Sequence, residues 1–246
     1  MAEEIDGTEE TFIEFKCPYC GQGTAFPGFD AGSLRDCPYC PEVFLVPQAS
    51  AEFGQKLPLP IQTPRLVLRR LQTEDVGDLM EFMADEEVLS FLNYSPLDEA
   101  GIADWLQTIS GARLSQPGQG LFLAIESADQ KQIIGLSSIT YSREVPGQPV
   151  DRQSQINVVI SRKFQRQGYA TEAVRGLLDF GFRGIGLRRV TAGCDTRNAA
   201  GCKMTEKAGM RQEGEFLQDQ NIKGEWVNTA WYALLGEEYE TAAKGN

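Results

Sequence analysis

Histidine is absent from all 246 residues. That absence excludes an imidazole general base, a His-containing catalytic triad and any histidine metal ligand. Long apolar runs are missing too: none approaches the roughly 20 residues that span a bilayer, so no membrane role is expected. Positive charge is scarce. With 23 lysines and arginines against 35 aspartates and glutamates, a formal net charge of -12, the chain lacks the basic face that displaces counterions from a nucleic-acid backbone. The balance suits a cationic partner, although an acidic surface also serves solubility alone. The opening MAEEIDGTEE is acidic and leads into no apolar segment, so no targeting signal is read there and the cytoplasm is the expected compartment. The length accommodates one catalytic domain and a small appendage.

Cysteine is sparse but patterned. Four of the six fall in two copies of one word, Cys17-Pro18-Tyr19-Cys20 and Cys37-Pro38-Tyr39-Cys40. The resulting C-x2-C-x16-C-x2-C spacing is that of a four-thiolate zinc site, with Gly21 and Gly23 allowing the tight turn after the first pair. Two disulfides fit a cytoplasmic setting poorly, and a redox CxxC needs a βαβ context that is missing. A segment this short has little core, whereas metal ligation contributes on the order of 10 kcal/mol to folding. Residues 1–47 therefore resemble a zinc ribbon, with FIEFKCPYC and LRDCPYC as arms and VFLVP as a closing strand. Four thiolates leave no open coordination position, so the Zn2+ held by Cys17, Cys20, Cys37 and Cys40 is expected to be structural. Ribbons of this kind usually brace a domain or bind a protein partner. Cys194 and Cys202 have no matching pair or histidine nearby and read as buried, inert thiols.

Residues 48–62 mix proline, small and polar residues as a linker does, and residues 63–246 form the expected catalytic domain. RLVLRRL alternates as a strand, and Thr73-Glu74-Asp75 starts a capped helix. A second helix is expected from about Leu97 to Leu114. LFLAIES, QIIGLSSITYS and SQINVVIS read as an antiparallel meander. A helix over Tyr169–Phe182, a strand at LRRVTAGCD, a helix at AAGCKMTEKAG ending on Gly209, and strands around GEFLQD and WVNTAWYALL complete a mixed α/β domain. Gly184-Ile185-Gly186 follows a helix and lacks a third glycine, so it is no dinucleotide fingerprint, and no GxxxxGK[ST] occurs.

The most informative stretch is Gln165-Arg166-Gln167-Gly168-Tyr169-Ala170-Thr171, between a strand and an amphipathic helix. Amides exposed at a helix start can cradle a pyrophosphate; Gly168 permits close approach, Ala170 keeps the path clear and Arg166 adds charge. Alone, this is also an ordinary strand-to-helix turn. QRQGYA nevertheless satisfies the acetyl-CoA signature of the GNAT acetyltransferases, Gln or Arg followed by x-x-Gly-x-Gly or Ala. TPRLVLRRL, IIGLSSI, Asn198-Ala199-Ala200 with EKAGM, and GEWVNTAWYALLGEEY extend the resemblance over nearly all of residues 63–236. The closing segment is especially similar to the branch containing ribosomal-protein N-terminal acetyltransferases and their small-molecule-modifying relatives.

The resemblance implies a GNAT fold: a mixed, mostly antiparallel central sheet flanked by helices. It implies direct attack of an amine on the acetyl-CoA thioester, with the oxyanion polarised by a main-chain amide among Val158, Val159 and Ile160. Gln165 to Thr171 would hold the pyrophosphate, Asn198 the pantetheine arm or the thiolate, and Lys203 the CoA phosphates. Asn198 is equally a good helix N-cap. Tyr232 stands where the family keeps a tyrosine that protonates the departing thiolate; a structural tyrosine is the competing reading, with Trp231 pointing to the opposite face.

Two positions depart from the family pattern. Gln155 replaces a glutamate that accepts the amine proton in many relatives, and Gly201 replaces a serine. At pH 7 a lysine amine is well under about 0.1% neutral and an α-amine roughly a tenth neutral. The expected acceptor is therefore a protein or peptide α-amine, with small-molecule amines (polyamine or aminoglycoside type) and a non-catalytic acetyl-CoA-binding sensor or adaptor as alternatives. The loops DEEVLSFLNYSPLDE and SREVPGQPVDRQ, expected to govern acceptor choice, carry no readable code, and the oligomeric state is likewise not encoded in any motif.

Overall fold

The computed structural model describes residues 11–110, 120–141 and 152–244. The chain divides into two compact units at Leu57/Pro58. Part of the SREVPGQPVDRQ loop and the expected end of the second helix, residues 111–114, lie outside the described residues. Among the described residues no helix is long and apolar enough to cross a membrane.

In the first unit, β1 (Phe12–Lys16) and β2 (Gly23–Pro27) form an antiparallel hairpin, and β3 (Leu34–Asp36), β4 (Val43–Leu45) and β5 (Gln55–Lys56) form a second small sheet. Residues 50–54 run alongside β1, with Lys16 N–H donating to the Glu52 carbonyl at 2.9 Å and Gly54 N–H to the Lys16 carbonyl at 2.9 Å. The stretch expected as a linker thus contributes strand structure, because its backbone polar groups need partners once β1 is buried beside them. The core is thin: Ile13, Phe15, Phe44 and Val46 around Cys17 and Cys37, with Phe15 stacked on Phe26 and both rings meeting Phe44 edge to face.

The second unit is one eight-stranded sheet in the order β12-β13-β11-β10-β9-β8-β7-β6, built from β6 (Ile61–Gln62), β7 (Leu66–Arg70), β8 (Gly120–Ser127), β9 (Ile133–Tyr141), β10 (Gln153–Ile160), β11 (Arg189–Asp195), β12 (Arg211–Ile222) and β13 (Glu225–Leu235). Every pair is antiparallel except β10–β11. This is the expected mixed, mostly antiparallel α/β fold.

Among the described residues five α-helices accompany the sheet: α1 (Val76–Met83), α2 (Glu99–Ser110), α3 (Tyr169–Asp179), α4 (Ala199–Lys207) and α5 (Gly236–Lys244). Leu79 and Phe82 of α1 and Ile102 and Leu106 of α2 pack with Ala124, Ile133 and Val159 on one sheet face. α3 packs against β10, β7 and β6, and α4 against β11 and β13, covering the other face with Ala173, Val174, Leu177 and Leu178 buried.

Three boundaries differ from expectation. Thr73–Asp75 forms a 3-10 turn capped by Gln72 that leads into α1, with Asp75 Oδ2 accepting Gln72 N–H at 2.7 Å and both Asp75 oxygens held by Arg69. α3 stops at Asp179 and continues as a π-helical turn through Gly184. α5 was not anticipated, since its short amphipathic pattern follows a strand without a turn signal; Tyr239 fixes it by stacking on Phe182 and donating to Asp179 Oδ1 at 2.8 Å.

Candidate functional site

In the first unit the repeated CPYC word gives a repeated geometry. Cys17 N–H donates to the Gln22 carbonyl at 2.8 Å and Cys37 N–H to the Glu42 carbonyl at 2.9 Å. Tyr19 N–H points at Cys17 Sγ, 3.5 Å away, and Tyr39 N–H at Cys37 Sγ, 3.4 Å away. Gly21, at φ +75°, supplies the left-handed residue that closes the first knuckle.

The two knuckles bring all four sulfurs within 4.8 Å of one another. Cys17 and Cys40 Sγ lie 3.9 Å apart and Cys20 and Cys37 Sγ 3.8 Å apart. A metal–sulfur bond of about 2.3 Å gives a tetrahedron edge of about 3.8 Å, whereas a disulfide requires about 2.05 Å. The quartet has the dimensions of a tetrahedral ion's ligand shell and not of two disulfides. Burial pushes the Cys40 thiol up to about 12 and Cys37 in the same direction, while at Cys17 burial is outweighed by hydrogen bonds from the Cys20 and Tyr19 amides and from the Cys37 and Cys20 thiols together, which lower it. Four thiolates at this spacing repel one another strongly, and a dication removes that repulsion.

In the second unit, β10 and β11 pair only through Gln153↔Arg189, Ser154↔Val190 and Gln155↔Thr191, and beyond those residues they diverge. Ser161 N–H donates to the Ile134 carbonyl at 2.8 Å in continuation of the β9–β10 ladder. Alternation then turns Val159 N–H into that ladder and directs the N–H groups of Val158 and Ile160 toward the gap that β11 has left.

The chain leaves β10 through a 3-10 turn at Arg162–Phe164 and enters α3 through Gln165–Gly168. Gln165 Nε2 donates to the Ile160 carbonyl at 3.0 Å and Gln167 Nε2 to the Lys163 carbonyl at 2.9 Å, so the two glutamines brace the turn from within. Arg166 (φ +60°) and Gly168 (φ +84°) are both left-handed. Glu172 is the first α3 amide with a backbone acceptor, the Gly168 carbonyl at 3.0 Å, and no side chain caps the helix. The amides of Tyr169, Ala170 and Thr171 have no such acceptor and lie in the partial positive field of the helix start, an arrangement that suits an anion.

Asn198 caps α4: its Oδ1 accepts Gly201 N–H at 2.8 Å. Lys203, one turn further on, is exposed. A Cβ at Gly201 would lie 2.7 Å from Asn198 Nδ2 and 3.0 Å from Cys194 Sγ, so this glycine lets α4 approach β11 more closely than a serine would. Tyr232 is 2% exposed, on the sheet face covered by α4, with its hydroxyl donating to Glu206 Oε1 at 3.3 Å. Burial first, then hydrogen bonding with Cys202 and the nearby Glu206 charge, push its phenol well above the usual range. Cys194 is likewise raised by burial and by Cys202.

On the other sheet face, Gln155, Asn157 and Val159 project from β10, Thr191 and Asp195 from β11 and, across Gly193, Trp231 from β13. Asp195 is the one carboxylate among them, and it is buried and bound by Arg197 Nε and Nη2 at 3.1 and 2.7 Å. Three residues that the sequence reading did not assign complete the turn: Thr63 and Arg65, from the turn between β6 and β7, and Glu172. Thr63 Oγ1 donates to Glu172 Oε1 at 2.6 Å, Arg65 N–H to the same oxygen at 2.8 Å and Arg65 Nε to Oε2 at 2.7 Å. No spacing rule reveals a contact between residues more than 100 positions apart.

Comparison with known proteins agrees with this geometry. Residues 65–211 match the family model described as an acetyltransferase (GNAT) domain. An uncharacterized N-acetyltransferase, p20 of Bacillus licheniformis, is 27% identical over 180 residues, covering 73% of this chain and 97% of that protein. The spermidine N(1)-acetyltransferase of Escherichia coli K12 is 27% identical over 90 residues, 37% of this chain and 48% of its own. Among solved structures, an acetyltransferase (GNAT family) from Bacillus anthracis superposes with a TM-score of 0.62 at 25% identity, covering 72% of this chain and 99% of that one.

Proposed function

The chain belongs to the GNAT acetyltransferases and is an acetyl-CoA-dependent N-acetyltransferase, and we propose that its acceptor is the α-amine of a protein or peptide. The observation that carries this reading is the acceptor-side face of the β10–β11 gap, where Gln155, Asn157, Thr191 and Trp231 project and where, among the described residues of β10 and β11, the one carboxylate, Asp195, is buried and bound by Arg197. An amine that must arrive already neutral is far more abundant at pH 7 when its pKa is near 7.8 than when it is near 10.4.

In this reading the amine lone pair attacks the thioester carbonyl, and the N–H groups of Val158 and Ile160, aimed into the gap, stabilise the oxyanion. Collapse of the tetrahedral adduct expels the CoA thiolate, the nitrogen loses one proton and the sulfur gains one. The amides from Gln167 to Thr171 receive the pyrophosphate, with Gln165 holding the turn's shape and Arg166 adding charge. Tyr232, kept protonated by burial, is the proposed donor to the thiolate, through displacement of its long bond to Glu206. Asn198 is assigned to the start of α4 beside the pantetheine arm, and Lys203 to the phosphates. A polyamine acceptor is the second reading, favoured by the similarity to the spermidine enzyme.

For the first unit we assign a structural Zn2+ to Cys17, Cys20, Cys37 and Cys40, and a bracing or protein-docking role to the ribbon it folds. The support is the agreement between the sulfur separations and a tetrahedral edge.

The acceptor assignment is tested by CoA-thiol release with peptides bearing free or acetylated N-termini, and with spermidine, across pH. With an α-amine acceptor, log kcat/KM rises with unit slope and levels near the amine's own pKa, about 7.8. A profile that is already level below pH 7 would reveal an enzymic base and sink the argument. Faster turnover of spermidine than of any free N-terminus would select the second reading.

A further inference from the structure

The Thr63-Pro64-Arg65 turn lies remote in sequence from the pyrophosphate turn, yet it touches that turn at four points. Arg65 Nε and Nη2 both reach Glu172 Oε2 at 2.7 Å, and Nη1 donates to the Gln167 carbonyl at 3.1 Å. Its guanidinium carbon sits 4.4 Å from the centroid of the Tyr169 ring, and Thr63 Oγ1 holds the second Glu172 oxygen at 2.6 Å. The anchor is itself rigid: Thr63 N–H donates to the Leu66 carbonyl at 2.9 Å, and Leu66 N–H returns a bond to Thr63 Oγ1 at 3.0 Å.

Two consequences follow from elementary geometry. In a trans peptide the carbonyl and the following N–H point in opposite directions. By holding the Gln167 carbonyl outward, Arg65 aims Gly168 N–H the other way, toward the anion site at the helix start. Glu172 is also a carboxylate within the first turn of α3, where an incoming pyrophosphate would meet its charge. Two donors from Arg65's side chain, one from its backbone and one from Thr63 engage that carboxylate and hold it away from the anion. Arg166, a non-glycine residue at φ +60°, stays in its costly left-handed conformation only if its neighbours fix it.

We propose that Arg65, with Thr63 and Glu172, is a positioning clamp that holds the Gln165–Gly168 turn in its pyrophosphate-binding shape before acetyl-CoA arrives. The inference rests on the acetyl-CoA assignment of this turn and adds residues that lie outside the signature. Arg65 touches neither the thioester nor the acceptor, so its effect belongs in acetyl-CoA affinity and not in the chemical step. Arg65 is partly exposed, and replacing it opens no cavity in the core.

The test uses the full chain and compares wild type with Arg65→Ala, Arg65→Lys and Glu172→Gln. Two quantities are measured: direct acetyl-CoA binding by calorimetry, and steady-state kinetics with acetyl-CoA and acceptor varied separately. Arg65→Ala is expected to weaken acetyl-CoA binding and raise its KM about tenfold, with kcat at saturation and the acceptor KM within about twofold of wild type. Arg65→Lys should fail to restore affinity, because an ammonium cannot bridge Glu172, the Gln167 carbonyl and the Tyr169 face together. Glu172→Gln should give an intermediate loss. The two Arg65 effects should shrink in the Glu172→Gln background, since the groups act as one unit. Unchanged acetyl-CoA affinity in Arg65→Ala overturns the clamp. A fall in kcat with KM unchanged also overturns it. A wild-type chain that binds no acetyl-CoA overturns the site reading instead, independently of any variant.

Discussion

Gly168→Ala isolates the cost of the left-handed turn. At φ +84° an added Cβ meets only Arg65 Nη2, at 3.4 Å, an ordinary contact, so the substitution strains the backbone without a clash. A non-glycine residue in this region costs about 1–2 kcal/mol. The chain has two ways to meet that cost. If the turn keeps its shape, folding stability falls by about 1–2 kcal/mol, a Tm decrease of about 2–8 °C for a domain this size, and acetyl-CoA KM is unchanged. If the turn relaxes, Tm is preserved and the strain reappears when acetyl-CoA forces the shape back, raising KM about 5- to 30-fold. The two losses, converted to free energy, sum to the same quantity because they are legs of one cycle. Thermal denaturation without ligand and an acetyl-CoA titration of the same preparation measure both. A variant that changes neither Tm nor KM, the sum staying within about 0.3 kcal/mol, would refute the claim that the left-handed turn is the binding conformation.

Cys37→Ser should abolish stoichiometric metal and unfold the first unit while leaving the second folded, since a core this thin depends on ligation worth on the order of 10 kcal/mol; metal analysis beside circular dichroism checks it, and a metal-free wild-type chain with an intact ribbon would contradict it. Tyr232→Phe should lower kcat about tenfold or more with acetyl-CoA KM unchanged, measured by thiol release, and an unaltered kcat would return Tyr232 to a packing role. Because burial raises the Tyr232 phenol in the folded state, its contribution to stability is fully present below the ordinary phenol value near 10 and declines above it; urea midpoints of Tyr232→Phe and wild type should therefore converge or cross as pH rises beyond about 10, and parallel curves would speak against the raised value.

The element order was largely legible because each signal was local. Alternation marked β7, β8, β9 and β10, a 3.6-residue period marked α3, and Gly209, at φ +104°, marked the end of the α4 segment. The misses were also physical. The 48–62 stretch looked unstructured because two-residue strands carry no periodicity, and its order comes from pairing with β1, β4 and β7. α5 was hidden because its register against Phe182 depends on where the chain emerges from β13.

By itself, the sequence determined the family through QRQGYA with its flanking strand and helix, the thiol quartet through a repeated word, and the exclusion of imidazole chemistry through the lack of histidine. Each of these is a statement about neighbours along the chain. Tertiary structure alone decided that four sulfurs approach to a tetrahedral spacing and that β10 and β11 diverge after three pairs. It also decided that Val158 and Ile160, not Val159, aim their amides into the gap, and that Arg65 reaches a turn more than 100 residues away. Strand register and long-range hydrogen bonds depend on how separate segments pack, and packing leaves no periodic trace in the order of the residues that take part.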